Sequence, residues 1–209
     1  MIRFYGAPMS SACRSHWMLE EIGIPYEYIK VSPRDGSTRS SDFLSISPGG
    51  RIPAIDDDGF RLFESLAINR YLGEKYRPEL LGRNLKERAL VDQWSLWALT
   101  NLQPEPFNVM MHTVFLPESE RSPKAVQASH AAAEPLLRLL DDTVQGKEFI
   151  VGDTFTVADI NVASVAVHAT VVGFLAEHPK TGAWVHSITQ RPSFKRSMAR
   201  DRHESLRPA

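Results

Sequence analysis

Ser10, Ser11 and Cys13 stand where a short apolar stretch, "IRFYG", gives way to the helical pattern of "SACRSHWMLEEIG". A hydroxyl and the free backbone N–H groups of a helix start can donate to an anion. That anion can be a thiolate, in which case the pKa of a bound thiol falls from about 8.5. The same position suits an N-cap, and either Ser10 or Ser11 can fill that role. Cys13 lies about one turn further in, where it is either an activated thiol facing a cleft or an inert buried side chain.

Two further places carry candidate chemistry. "RIPAI" puts Pro53 at the entrance of a strand; an ordinary trans proline fits there, but a cis Ile52–Pro53 bond would turn the Ile52 backbone N–H and C=O outward, ready to pair with an extended peptide. Glu64 and Ser65 come directly after a strand and open a helix. They are either plain capping residues or a cradle for an α-amino acid head, with Ser65 and the helix end meeting the carboxylate and Glu64 meeting the ammonium group. The histidines, at 16, 112, 130, 168, 178, 186 and 203, are scattered without metal-ligand spacing, so no metal is expected.

Positioning these residues requires strands at Ile2–Tyr5 and in "YEYIKV", a helix from about Ser11 stopped by Gly23, and a hairpin bending at Asp58–Gly59. Glu20 and Glu21 would lie on a solvent face. "ESLAINRYLGEKY" continues as a helix that ends before Pro78, giving the order β-α-β-α-β-β-α. Past residue 80 the pattern becomes helical throughout: a long segment kinked around Pro104 and Pro106, a second from Ser122 to Val144, and "TVADINVASVAVHATVVGFL", apolar nearly all round and therefore a buried central helix. The expected domains are residues 1–78 and 84–209, with the tail "RDRHESLRPA" a frayed end.

Composition narrows the function classes. With 24 basic and 25 acidic side chains, no bulk charge favours nucleic acid or an anionic membrane surface. A single cysteine rules out an intrachain disulfide framework and a CxxC redox motif, and suits a reducing compartment. No apolar run reaches the roughly 18 residues of a membrane span, and no signal-peptide pattern opens the chain, so a cytoplasmic location is expected.

Taken in order, "PMSSACR" with "LEEIGIPYE", then "SPGGRIPAIDDDG", "LFESLAINRYL" and "FIVGDTFTVADI" resemble the cytosolic glutathione S-transferases over nearly the whole chain. The resemblance implies an α/β thioredoxin-like N-terminal domain, an all-α C-terminal domain, glutathione as co-substrate without a metal, and a homodimer. It places Ser10 at the hydroxyl that hydrogen-bonds the glutathione sulfur in serine-type members. It also implies that Pro53 is cis, that Ile52 pairs with the cysteinyl backbone, that Glu64 and Ser65 hold the γ-glutamyl group, and that Arg51 meets the glycyl carboxylate. Ser11 then caps the helix and Cys13 belongs to the core. Thr156 and Asp159 match a helix capping box.

There are departures. Cysteine-type members carry their cysteine where Ser10 stands, so Cys13 is one turn out of place. The "SSCS" run of the maleylacetoacetate isomerase-like class is absent, and Ser47 replaces an asparagine common before the proline-glycine turn. Tyr5 is an alternative sulfur ligand if the register differs. The expected reaction is attack of a glutathione thiolate on a small hydrophobic electrophile held in an apolar cleft between the domains, where "PFNVMMHTVF" offers Asn108, Met111, His112 and Phe115 as a wall. The rival readings are a non-catalytic binding or scaffold protein of the same fold and a glutathione-dependent reductase using Cys13.

Overall fold

The computed structural model describes residues 1–205, with side chains as far as Asp201, as two compact units. One is Met1–Leu81 joined by the chain from Gln190 onward; the other is Gly82–Thr189. Its elements are β1 (Ile2–Gly6), α1 (Ala12–Ile22), β2 (Tyr26–Lys30), α2 (Ser41–Leu44), β3 (Ala54–Asp57), β4 (Phe60–Phe63), α3 (Ser65–Tyr76), α4 (Leu85–Trp97), α5 (Pro104–Met110), α6 (Pro123–Val144), α7 (Val157–Val171), α8 (Pro179–Thr189) and α9 (Pro192–Ser205).

The first unit follows the expected β-α-β-α-β-β-α order. Its sheet runs β2-β1-β3-β4, with β1 parallel to β2 and antiparallel to β3, and β3–β4 closing as a hairpin. This is a thioredoxin-like sheet. Alternation along β1 sends Phe4 to one face, where it stacks on His16 of α1 at 5.6 Å, and Tyr5 to the other, where it packs with Val31, Phe43 and Ala54. The bend has positive φ at both Asp58 (50°) and Gly59 (95°), as a tight two-residue hairpin turn requires. Gly23, at φ 72°, ends α1 by donating its N–H to the Leu19 carbonyl at 3.0 Å.

The solvent face expected for Glu20 and Glu21 is instead covered by α9. Trp17 Nε1 donates to Ser193 Oγ at 3.1 Å, and its ring meets Phe194 edge-on at 4.8 Å. Arg191 and Ser193 bind Glu21, while Arg196 and Arg200 bind Glu20. Burial pushes both carboxyls up, but these hydrogen bonds and charges outweigh it and hold both below the ordinary range. The segment after Gln190, expected with the helical domain, therefore folds with the sheet, because the acidic face of α1 and the basic face of α9 complement one another. Arg200 and Asp201, expected in a frayed tail, are bound side chains; residues 206–209 of that expectation lie outside the described residues.

The second unit is helical throughout. The kink expected at the prolines takes a specific form: a π turn, Ala98–Leu102, precedes Pro104, and another, Met111–Phe115, follows α5. Pro104 and Pro106 lack N–H groups, so the ladder cannot continue in α register. The wider turn lets Gln103 N–H reach the Ala98 carbonyl at 2.8 Å instead. Helix α7 is buried along nearly its whole length, as its apolar composition predicts. Its capping box is present: the Asp159 carboxylate accepts from Thr156 N–H at 2.7 Å and from Ile150 N–H at 2.8 Å.

Candidate functional site

The loop from β1 enters α1 through Met9, whose φ of 53° is unusual for a residue with a side chain. Ser10 follows. Its Oγ accepts from Ala12 N–H at 3.1 Å and donates to the Ala7 carbonyl at 2.6 Å, while Cys13 N–H closes on the Ser10 carbonyl at 3.1 Å. Ser10 thus takes up an orphan donor of the helix, and rotation of its O–H alone can redirect the hydrogen from Ala7 to an incoming anion. Ser11, expected to cap the helix, makes no side-chain cap bond. Its hydroxyl crosses to the Ile52 carbonyl at 3.0 Å.

The Ile52–Pro53 bond is cis. Ser47 is buried beneath the preceding turn, donating to the Arg51 carbonyl at 2.8 Å and accepting from Gly50 N–H through its own carbonyl at 2.8 Å. The serine that replaces the common asparagine therefore closes the turn itself. Gly50, at φ 60°, lies where an added Cβ would stand 2.8 Å from the Thr38 carbonyl oxygen, so no larger residue fits without a backbone shift. Arg51 is exposed on the turn.

Glu64 is exposed and sits immediately before α3 with φ 72°, a conformation costing a non-glycine residue on the order of 1–3 kcal/mol. Ser65 is buried, and its Oγ accepts from Arg14 Nη1 at 3.0 Å, which leaves its own hydrogen to donate. Arg14 is 1% exposed. Burial pulls its guanidinium down to about 10, against the attraction of Cys13 and Glu64, so it remains charged at neutral pH. Sequence reasoning gave Arg14 no role. The available signal was its spacing: it falls three and four residues before Trp17 and Met18, on the buried face of α1.

The first turns of α1 thus touch both other nominated elements: Ser11 reaches Ile52, and Arg14 reaches Ser65. Of the three described non-glycine residues with positive φ, Met9 and Glu64 directly precede Ser10 and Ser65; the third, Asp58, forms the hairpin. Backbone strain gathers at functional sites more than elsewhere.

Cys13 and Tyr5 are not competing centres. Burial first, then the Asp201 carboxylate, pushes the Cys13 thiol up to about 12, and its S–H donates to Asp201 Oδ2 at 3.5 Å. A thiol held this way is not a nucleophile at neutral pH. Tyr5 is packed in the core, and burial raises its phenol above the ordinary value.

In the helical unit, Asn108, Met111, His112 and Phe115 are all half-buried on one helical run. Asn108 Nδ2 donates to Ser129 Oγ at 2.8 Å, and His112 Nδ1 accepts from Ser122 N–H at 3.3 Å. A cavity of about 250 Å³ in this unit is lined by His130, Glu134, Phe174 and His178 among others, and by none of those four. Among the described residues no group of three or more His, Cys, Asp or Glu side chains could hold a metal ion, and no helix is long and apolar enough to cross a membrane.

Residues 1–74 match the sequence model of the glutathione S-transferase N-terminal domain, and residues 107–192 match that of the C-terminal domain. The chain is 32% identical to glutathione S-transferase GstB of Escherichia coli across 85% of its own length and 88% of that protein's. The chain belongs to the glutathione S-transferase family. Another relative, glutathione S-transferase F9 of Arabidopsis thaliana, is 28% identical across 96% of this chain and 97% of its own. Among solved structures, glutathione transferase URE2P8 of Phanerochaete chrysosporium, determined with oxidized glutathione, superposes with a TM-score of 0.89 at 25% identity, covering 99% of this chain and 97% of that one. The theta class glutathione S-transferase of Xanthomonas axonopodis pv. citri, with glutathione bound, gives 0.84 at 27% identity, covering 94% and 96%. Glutathione is the co-substrate of this glutathione S-transferase; the N-terminal domain model falls within the first unit, and the C-terminal one within the second but for its last three residues.

Proposed function

We propose that this glutathione transferase lowers the pKa of the glutathione thiol through Ser10 and directs the thiolate at a small hydrophobic electrophile. The reading is carried by one observation: the first turns of α1 are hydrogen-bonded to both the Ile52–Pro53 turn and Ser65, so the three elements form one cradle. The tripeptide backbone pairs with Ile52. Its γ-glutamyl carboxylate takes the Ser65 hydroxyl hydrogen and the N-terminus of α3, its ammonium group takes Glu64, and its glycyl carboxylate meets Arg51. The Ser10 O–H turns from Ala7 to the sulfur, keeping its bond from Ala12 N–H.

Each unit of pKa depression requires about 1.4 kcal/mol of preferential thiolate stabilisation. A charge-assisted hydrogen bond with the α1 N-terminus supplies that order of energy. The thiol proton leaves to solvent, the sulfur forms a bond to the electrophilic carbon, and the displaced electron pair departs with the leaving group or onto an activating substituent. Asn108, Met111, His112 and Phe115 contribute apolar and adaptable contacts to the electrophile. The protein works as a homodimer in the cytoplasm; light scattering on the purified protein tests the former. The mechanism is tested by ultraviolet difference titration with glutathione from pH 5 to 9. A thiolate band appearing well below the pH of the free thiol and weakened in Ser10→Ala is expected; its absence at saturating glutathione removes Ser10 from the mechanism.

A further inference from the structure

A buried carboxylate outside the cradle is tied to the turn that carries Ser10. Asp201 of α9 is 3% exposed, and its two oxygens gather donors from two elements of the first unit. Oδ1 bonds His16 Nδ1 at 2.7 Å and accepts from Tyr28 OH at 3.3 Å; Oδ2 accepts from Cys13 Sγ at 3.5 Å. Cys13 and His16 are one turn apart on α1, so they present a single face to α9. His16 is fixed on its other side too, Nε2 lying 2.8 Å from Tyr26 OH, which itself donates to Glu20 at 2.6 Å.

Cys13 makes the link to the site. Its side chain is held by Asp201, and its backbone N–H holds the Ser10 carbonyl. Within the cradle the same stretch is held by Ser10 Oγ, which accepts from Ala12 N–H, by Ser11 Oγ on the Ile52 carbonyl and by Arg14 on Ser65; Asp201 anchors it from outside the cradle. We propose that Asp201 is a positioning residue for glutathione transfer, fixing the first turn of α1, and with it Ser10, from the last helix of the unit. This rests on the assignment of Ser10 to the glutathione sulfur.

The sign of the effect separates positioning from charge. A carboxylate acting through its charge alone disfavours a nearby thiolate, so neutralising it would ease thiol ionisation. A carboxylate that positions Ser10 does the reverse when lost. Asp201→Asn, which keeps the shape but cannot accept from every donor, is expected to raise the apparent pKa of bound glutathione and to lower kcat about tenfold, as small misplacements of catalytic groups do. Amide exchange of Ala12 and Cys13, whose N–H groups bond Ser10, is expected to accelerate about tenfold while α3 stays protected. If the variant folds poorly, Cys13→Ala removes one donor and is expected to shift both readouts the same way by less. An unchanged or lowered thiol pKa, or unchanged exchange at Ala12 and Cys13, overturns the inference. Wild-type protein without a thiolate signal would instead overturn the Ser10 assignment, and the exchange measurement would still decide whether Asp201 fixes the turn.

Discussion

The hydroxyl of Ser11 donates to the carbonyl oxygen of Ile52 at 3.0 Å, joining the start of α1 to the cis-proline turn. The carbonyl keeps a second lone pair for a ligand N–H. Ser11→Ala removes a hydrogen bond of about 0.5–1.5 kcal/mol that holds the cis-proline turn, the edge proposed to pair with glutathione, against the helix. The glutathione KM should rise about two- to tenfold with a smaller change in kcat, and steady-state kinetics at varied glutathione will show whether the loss falls on binding.

Ser10 should behave differently. Under the proposed mechanism its alanine variant loses a hydrogen bond to a charged sulfur, in the range of about 1.5–3 kcal/mol, so kcat should fall roughly 10- to 100-fold. Glutathione affinity should change much less, because the residues proposed to hold the tripeptide, Ile52, Glu64, Ser65 and Arg51, are untouched. Isothermal calorimetry beside the kinetics separates the two effects; a tenfold loss of affinity with unchanged kcat would contradict the assignment.

Arg14 holds the Ser65 oxygen with one arm of a fork that lysine does not possess. Arg14→Lys keeps the charge and loses that geometry. Glutathione binding should weaken about tenfold, in line with a hydrogen bond from a charged group. Calorimetric affinity equal to wild type would show that Ser65 orients itself without the guanidinium.

The thiol of Cys13, raised to about 12 by burial and Asp201, is almost wholly protonated at pH 8. Its reaction with a disulfide reagent in the native protein should be slower than that of free glutathione by orders of magnitude, and should become ordinary in denaturant. Fast native labelling would revive a reductase role for this residue.

Thr156 and Asp159 concern stability alone. Thr156→Ala should cost about 0.5–2 kcal/mol in chemical denaturation and leave glutathione affinity unchanged. Burial raises Asp159 from 3.8 to about 6, against the hydrogen bonds from Ile150 and Thr156. The folded state therefore binds this proton more tightly than the unfolded state does, and the resulting stability, present below about pH 4, is lost as the pH climbs to about 6. Denaturation of wild type and Asp159→Asn at pH 4 and 6.5 should show the wild type losing about 1–3 kcal/mol more than the variant across that interval.

Much of this was legible in the sequence because it depends on local rules. The Gly23 stop, the Asp58–Gly59 bend and the Thr156–Asp159 box follow from backbone geometry and short-range hydrogen bonds, and buried α7 from its composition. Glutathione and the transferase fold rested on the order of four motifs. What escaped lies in distant pairings. Glu20 and Glu21 read as solvated charges because the arginines that meet them are some 170 residues away in the chain. Ser11 read as a cap because nothing local reveals Ile52 as its partner, and Arg14 had no visible reason to be buried until Ser65 was placed above it. The π turns escaped because proline signals a break in register without saying how the chain absorbs it.

The first unit is assembled from both sides of the second in sequence, since α9 joins it only after Gly82–Thr189 has been traversed. On the ribosome, the sheet and α1 are synthesised long before the helix that covers Glu20, Glu21 and Cys13. Until then the acidic face of α1 is open to water and to other nascent chains. Vectorial synthesis therefore lets the helical unit fold before the segment that completes the first unit has been made.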